Sequence, residues 1–214
     1  MSFFQQLEQR IAAVDSLLCV GLDPHVAQLS SPSAEAAKQF CLDIIHQTHP
    51  FAACFKPNSA FFEVFGAEGS TALAEVLQAI PAGIPVILDV KRGDIDTTAL
   101  AYAEAALGAL KVGCVTLSPY MGTDSIKPFV TGKYADRAAF ILCKTSNPSS
   151  KVPCVRLELF RFDLMSSLGA AGGGVVGRRS PLHQSGEDVC AVQRRGHADQ
   201  PMRLPESRPR RWSH

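Results

Sequence analysis

Five short apolar runs, each closed by polar residues and separated by stretches of helical spacing, constrain the fold of this chain more than any other feature. Residues 17–22 (L-L-C-V-G-L) run into Asp23-Pro24, and residues 52–55 run into Lys56-Pro57-Asn58. Residues 86–89 run into a charged turn, 114–117 into Ser118-Pro119-Tyr120, and 138–143 into Lys144-Thr145-Ser146-Asn147-Pro148. Ser2 is placed to cap a first helix carrying Phe3, Phe4, Leu7 and Ile11, and Ser33 to cap a second carrying Phe40, Cys41, Ile44 and Ile45. A helical stretch from Ala60 is interrupted by Gly66 and Gly69 and restarts at Ser70. An alanine-rich helix follows over residues 97–110, and a short helix begins at Asp124. Short strands that are apolar on both faces and alternate with helices make a buried parallel sheet with helical crossovers. The polar residues gather at the carboxyl ends of the strands, where α/β sheets and barrels build their active sites. The first strand lacks the G-x-G-x-x-G of a dinucleotide site, and five converging polar ends favour a closed (β/α) barrel.

The most informative of these ends is V-I-L-D-V-K-R-G-D-I-D-T-T, residues 86–98. Side chains alternate along a strand, so Asp89 and Lys91 share a face, with Asp94 close behind. A carboxylate and an ammonium set side by side where a buried strand ends are costly to desolvate, and such pairs gather at sites. The bland alternative is a structural ion pair; the convergence of three charges beside Gly93 argues against it.

Composition removes several other classes. The formal net charge of +1 gives no global reason for a nucleic-acid or membrane partner. The opening M-S-F-F-Q-Q-L-E-Q-R is charged early and reads as neither a signal peptide nor a membrane span. Seven cysteines without a C-x-x-C read as reduced, mostly buried thiols of a cytoplasmic protein. The six histidines are scattered, and His46 with His49 lacks a second ligand pair, so no metal site is expected.

The ordered segments V-G-L-D-P, F-K-P-N, V-I-L-D-V-K-R-G-D-I-D-T-T, T-L-S-P-Y-M-G and T-S-N-P resemble orotidine 5′-phosphate decarboxylase. The K-R-G-D-I form is similar to the bacterial branch often called type 2. The likeness covers residues 1–150, about five βα units of that family's (β/α)8 TIM barrel, which would be incomplete here. It implies decarboxylation of orotidine 5′-monophosphate to uridine 5′-monophosphate and CO2 in pyrimidine biosynthesis, without metal or organic cofactor. It also implies a cytoplasmic homodimer. Lys91 would stabilise the C6 carbanion and donate the proton. Asp89 would sit by the substrate carboxylate, and Lys56 would neutralise Asp89 and hydrogen-bond the ribose. Asp94 would complete a Lys-Asp-Lys-Asp array, whose carboxylates favour the ammonium form of Lys91. By the same resemblance Asp94 and Thr98 reach across a dimer interface, Asp23 binds ribose, and Ser146 lies at the pyrimidine edge. The related Mg2+-dependent sugar-phosphate decarboxylases and aldolases keep an Asp-x-Lys-x-x-Asp stretch but need an acidic residue where this chain has Lys56.

After residue 150 the pattern changes. Residues 1–150 hold 10 basic and 14 acidic residues, a net of −4; residues 151–214 hold 11 and 6, a net of +5, and ten of those 11 are arginine. A strand over 152–159 is broken by Pro153, Arg156 and Glu158. The glycine-rich stretch 169–177 leads into Arg178-Arg179-Ser180-Pro181 rather than a helix, which argues against a phosphate loop. Residues 180–214 show no sustained periodicity and read as an irregular tail; Trp212 alone does not make a nucleic-acid surface. The family's late phosphate-gripping segments are not intact, although Val175-Val176-Gly177 resembles one of them. The sequence is therefore divided into a partial barrel domain, 1–150, and a tail, 151–214, with the composition of a shifted reading frame. The other frames of the gene after codon 151 test that: the missing barrel half should be found there. A catalytically impaired barrel fragment is the alternative functional expectation.

Overall fold

The computed structural model describes residues 1–147 and a strand at 188–192. Helix α1 (Phe3–Val14) starts with a reciprocal capping box: the Ser2 hydroxyl accepts from the Gln5 amide, and the Gln5 side chain accepts from the Ser2 amide at 2.9 Å. Its first residue, Phe3, is buried against Cys54, Ile87, Cys114 and Ala138. Each of those four opens a strand: β2 (Cys54–Pro57), β3 (Ile87–Arg92), β4 (Cys114–Leu117) and β5 (Ala138–Lys144). The helix thus plugs the amino-terminal end of the sheet. Arg10 fastens it there by donating to the carbonyls of Ala52 at 3.0 Å and His49 at 2.6 Å.

The first strand, β1 (Cys19–Leu22), pairs in parallel with β2, Cys19 opposite Cys54 and Leu22 opposite Pro57. Parallel bridges Phe55–Val86 and Asn58–Asp89 carry the sheet from β2 to β3. Parallel ladders then join β3 to β4 and β4 to β5. The spatial order β1 to β5 follows the sequence, as in the first five strands of a (β/α) barrel. Among the described residues the sheet does not close: no ladder joins β1 to β5.

Helices cover the outer face. Helix α2 (Ala34–Thr48), capped by the Ser33 hydroxyl, packs on α4 (Gly66–Ala79) after the short α3 (Ala60–Glu63). Lys38 bridges the pair, 2.6 Å from Glu35 and 2.9 Å from Glu75. Helix α5 (Asp96–Ala103) continues as a π-helical turn over Glu104–Ala109, and α6 (Lys127–Val130) precedes β5. Phe55, Phe62, Leu88, Leu107, Val115 and Phe129 are fully buried between the layers, each worth about 1.5–3 kcal/mol of transfer free energy.

Four sequence expectations change. The run 17–22 was expected to be a buried strand, yet Leu17 and Leu18 are 67% and 47% exposed and Cys19 is exposed. Among the described residues strand β1 has a ladder on one side alone, so no described neighbour covers its outer edge. Helix α4 starts at Gly66 rather than Ser70. Gly69 lies inside it because a Cβ there would stand 1.8 Å from the Phe62 carbonyl oxygen, so this glycine allows α3 and α4 to touch. Strand β3 runs on through Arg92, beyond the expected end at Asp89. Finally, the stretch expected to be irregular contains a strand, β6 (Asp188–Val192), antiparallel to β5 with Cys190 opposite Ile141. A short V-C-A-V run is enough when β5 offers a free edge of unpaired amides and carbonyls. The expectations for residues 148–187 and 193–214, including the glycine-rich stretch, lie outside the described residues.

Candidate active site

Asp89 is the centre of the carboxyl-end cluster. It is the third residue of the six-residue strand β3, where the apolar Ile87 and Leu88 give way to polar residues, and it is 7% exposed. From its own strand Lys91 Nζ approaches Oδ1 at 2.8 Å and Oδ2 at 2.9 Å. From β2, Lys56 Nζ lies 3.3 Å from Oδ2. From β4, the Thr116 hydroxyl donates to Oδ1 at 2.8 Å. Burial pushes the Asp89 carboxyl up, but the hydrogen bonds from Lys91 and Thr116 and the charges of Lys56 and Lys91 outweigh it, and the group lies below its ordinary value. A buried carboxylate held by two ammonium groups and a hydroxyl is ionised and fixed in orientation.

The expected proximity of Asp89 and Lys91 holds, by a route different from simple alternation. The ladder to β4 pairs Leu88 with Val115, shifts, and resumes with Arg92 opposite Leu117. Lys91 sits in this bulge with φ of +45°, a left-handed conformation costing a non-glycine residue about 1–2 kcal/mol. The turn beyond it is braced on both sides. Arg92 pairs with Glu63 at 3.2 Å and lies over the Tyr102 ring at 4.8 Å, while its carbonyl accepts from Ser118 N at 2.6 Å. Gly93 is required at this crossing, since a Cβ would meet the Ser118 carbonyl oxygen at 2.9 Å.

The remaining expected site residues surround this cluster at strand exits. Asp23 follows β1, and its Oδ1 is buried without a hydrogen-bond partner among the described residues. Asp94 lies between β3 and α5; its Oδ1 accepts from the Ile95 amide at 2.8 Å, and within the chain it forms no ion pair with Lys91. Thr98 is exposed on the first turn of α5. Ser146 is exposed just beyond β5. The structure therefore brings together Lys56, Asp89 and Lys91, and leaves Asp94, half-buried, and Thr98, exposed, outside that cluster. Thr116 is not among the site residues expected from the sequence; its signal there is a polar side chain inside the otherwise apolar run C-V-T-L.

A parallel α/β sheet of barrel order, with a buried aspartate clamped by two lysines at its carboxyl edge, defines the class: a (β/α)-barrel protein whose site is built on strand ends. The chain belongs to the orotidine 5′-phosphate decarboxylase / HUMPS family, whose sequence profile matches residues 16–152. It is 46% identical over 149 residues to an orotidine 5′-phosphate decarboxylase of Herpetosiphon aurantiacus, covering 68% of this chain and 55% of that one. The likeness to the enzyme of Leptospira interrogans is 46% over 156 residues, 70% of this chain and 56% of that one. Among solved structures, Leishmania donovani OMP decarboxylase matches with a TM-score of 0.65 and 55% identity, over 71% of this chain and 57% of the other. A putative orotidine 5′-phosphate decarboxylase of Streptomyces avermitilis matches with a TM-score of 0.69 and 30% identity, over 84% and 67%. The chain spans about half the length of the curated relatives it matches. No described helix is long and apolar enough to cross a membrane.

Proposed function

We propose that residues 1–147 carry the chemical end of a site that converts orotidine 5′-monophosphate to uridine 5′-monophosphate and CO2, a step of pyrimidine biosynthesis. The observation that carries this reading is the clamp of Asp89 between Lys56 and Lys91 at the carboxyl edge of the sheet. In the reaction the bond between pyrimidine C6 and the carboxylate breaks, CO2 leaves, and the electron pair stays on C6. Lys91, half exposed at Nζ's end of the cluster and already in contact with a carboxylate, stabilises that pair and then donates its proton to C6. Asp89 is fixed beside the departing carboxylate, and relief of their repulsion favours loss of CO2. Lys56 balances Asp89 from β2 and reaches the ribose, with Asp23 just beyond the adjoining strand β1 accepting from a ribose hydroxyl. Ser146 meets the pyrimidine edge. The chemistry needs no metal or organic cofactor, because a lysine supplies both the charge and the proton.

The working unit in this reading is a cytoplasmic homodimer. Thr98 is exposed, and Ile95 and Leu100 on the same segment are 43% and 58% exposed, as residues of a subunit contact would be. Remote phosphate contacts normally supply binding energy spent at the reacting carbon. The late phosphate-gripping segments of the family are not intact in the sequence, so turnover by this chain is expected to fall well below that of a full-length relative. The test is the disappearance of orotidine 5′-monophosphate with the purified chain, its Lys91→Ala variant and a full-length relative side by side. Weak turnover abolished by Lys91→Ala is expected. Turnover equal to the relative's would refute the impairment, and turnover indifferent to Lys91 would refute the assignment of the site.

A further inference from the structure

Thr116 joins the carboxylate of the cluster to the backbone that presents its lysine. It is the third residue of β4 and is 8% exposed. Its Oγ1 accepts from the Val90 amide at 3.0 Å and the Lys91 amide at 2.9 Å, and lies 2.8 Å from Asp89 Oδ1. A hydroxyl has one proton and two lone pairs. Two amides can only donate, so they occupy both lone pairs. The single proton is left for Asp89, which must accept it. The direction of every bond at this oxygen is thereby fixed, and the acceptor has to be an unprotonated carboxylate oxygen.

The same oxygen replaces a piece of the sheet. Between the Leu88–Val115 and Arg92–Leu117 pairs the β3–β4 ladder is interrupted, and two of the three amides of the interruption, those of Val90 and Lys91, go to the Thr116 side chain. Lys91 stands there at φ of +45°, an unfavourable backbone state that persists when surrounding contacts hold it. That conformation brings its ammonium back over Asp89.

We infer that Thr116 is a positioning residue for the decarboxylation proposed above: its hydroxyl holds the bulge that presents Lys91 and orients the Asp89 carboxylate facing it. The inference rests on that reading for its link to catalysis; the geometry itself does not depend on it. The groups facing Asp89 are Lys56 from β2, Lys91 from β3 and Thr116 from β4. Valine at 116 keeps the shape and removes the hydroxyl, whereas serine keeps the hydroxyl and removes the methyl.

The test uses the full chain and its Thr116→Val and Thr116→Ser variants. Hydrogen exchange of the Val90 and Lys91 amides and carbon-detected titration of the Asp89 carboxyl are followed by NMR. In Thr116→Val both amides should exchange about tenfold faster, and Asp89 should titrate at higher pH than in the parent. Thr116→Ser should stay near the parent in both. In turnover, kcat should fall about tenfold in the valine variant with KM changed less than about twofold, and serine should restore it. Parent-level protection and titration in Thr116→Val would overturn the inference. So would equal losses in the serine and valine variants, which would make packing of the methyl the cause. If the valine variant does not fold, Thr116→Ala replaces it under the same criteria. Absence of turnover in every chain, the parent included, would count against the decarboxylase reading alone, and the two NMR readouts would still decide the role of Thr116.

Discussion

The two ends of the same strands are built from opposite materials. At the amino-terminal end Phe3 of α1 seals a layer of the hydrophobic side chains Cys54, Ile87, Cys114 and Ala138. At the carboxyl end, a few residues further along the same strands, Lys56, Asp89, Lys91 and Thr116 form a polar network around one buried carboxylate. Burial at the first end stabilises the chain and asks nothing of geometry beyond shape. Burial at the second end is costly for a charge left without partners, so it is tolerated for what the partners can do together. The comparison separates stability from chemistry along a single set of strands, and it can be broken from either side.

The largest effect should come from the polar end. Lys91→Ala should lower turnover by about 10⁴-fold, since it removes both the proposed proton donor and the proposed stabilising cation. The urea midpoint should move little, because Lys56 and Thr116 still hold Asp89. Comparable damage to both properties would mean that the two ends are not separable. The apolar end gives the converse. Phe3→Ala should cost about 3–5 kcal/mol of stability, read from chemical denaturation, while kcat per folded molecule stays unchanged.

A smaller effect is expected in acid. The Asp89 carboxyl lies below its ordinary 3.8 in the folded chain. Its contribution is therefore complete above the unfolded value and is lost as pH falls through the lower folded one. The stability gap between the parent and Asp89→Asn should shrink as the pH is lowered from about 5 into that range. A gap that is constant with pH would show that the ion pairs add nothing to folding. Smallest of all, Ser2→Ala removes the capping box that begins α1 and should cost about 1 kcal/mol. A near-zero change would mean that the plug is held by Phe3 and Arg10 alone.

What the sequence made legible follows the range of the interactions involved. The Ser2 and Ser33 caps are set within four residues and are visible as local patterns. Strand order is visible too, because short apolar runs alternating with helices admit few topologies. The pairing of Asp89 with Lys91 was anticipated, but the bulge that achieves it depends on Thr116, which is 25 residues from Lys91. Likewise the exposure of β1 and the existence of β6 depend on which strand edges are covered. Neither is written in residues 17–22 or 188–192 themselves. Gly69 reads as a helix breaker until the Phe62 carbonyl is seen against it.

Strand β6 also changes how this chain would meet any other. By laying Asp188–Val192 antiparallel along β5, the molecule occupies the seat that the next parallel strand of a barrel would take. A polypeptide offered in trans to complete the sheet would first have to strip that strand away. The register Cys190 opposite Ile141 is thus an internal competitor, and rescue by a complementing fragment should improve when β6 is deleted.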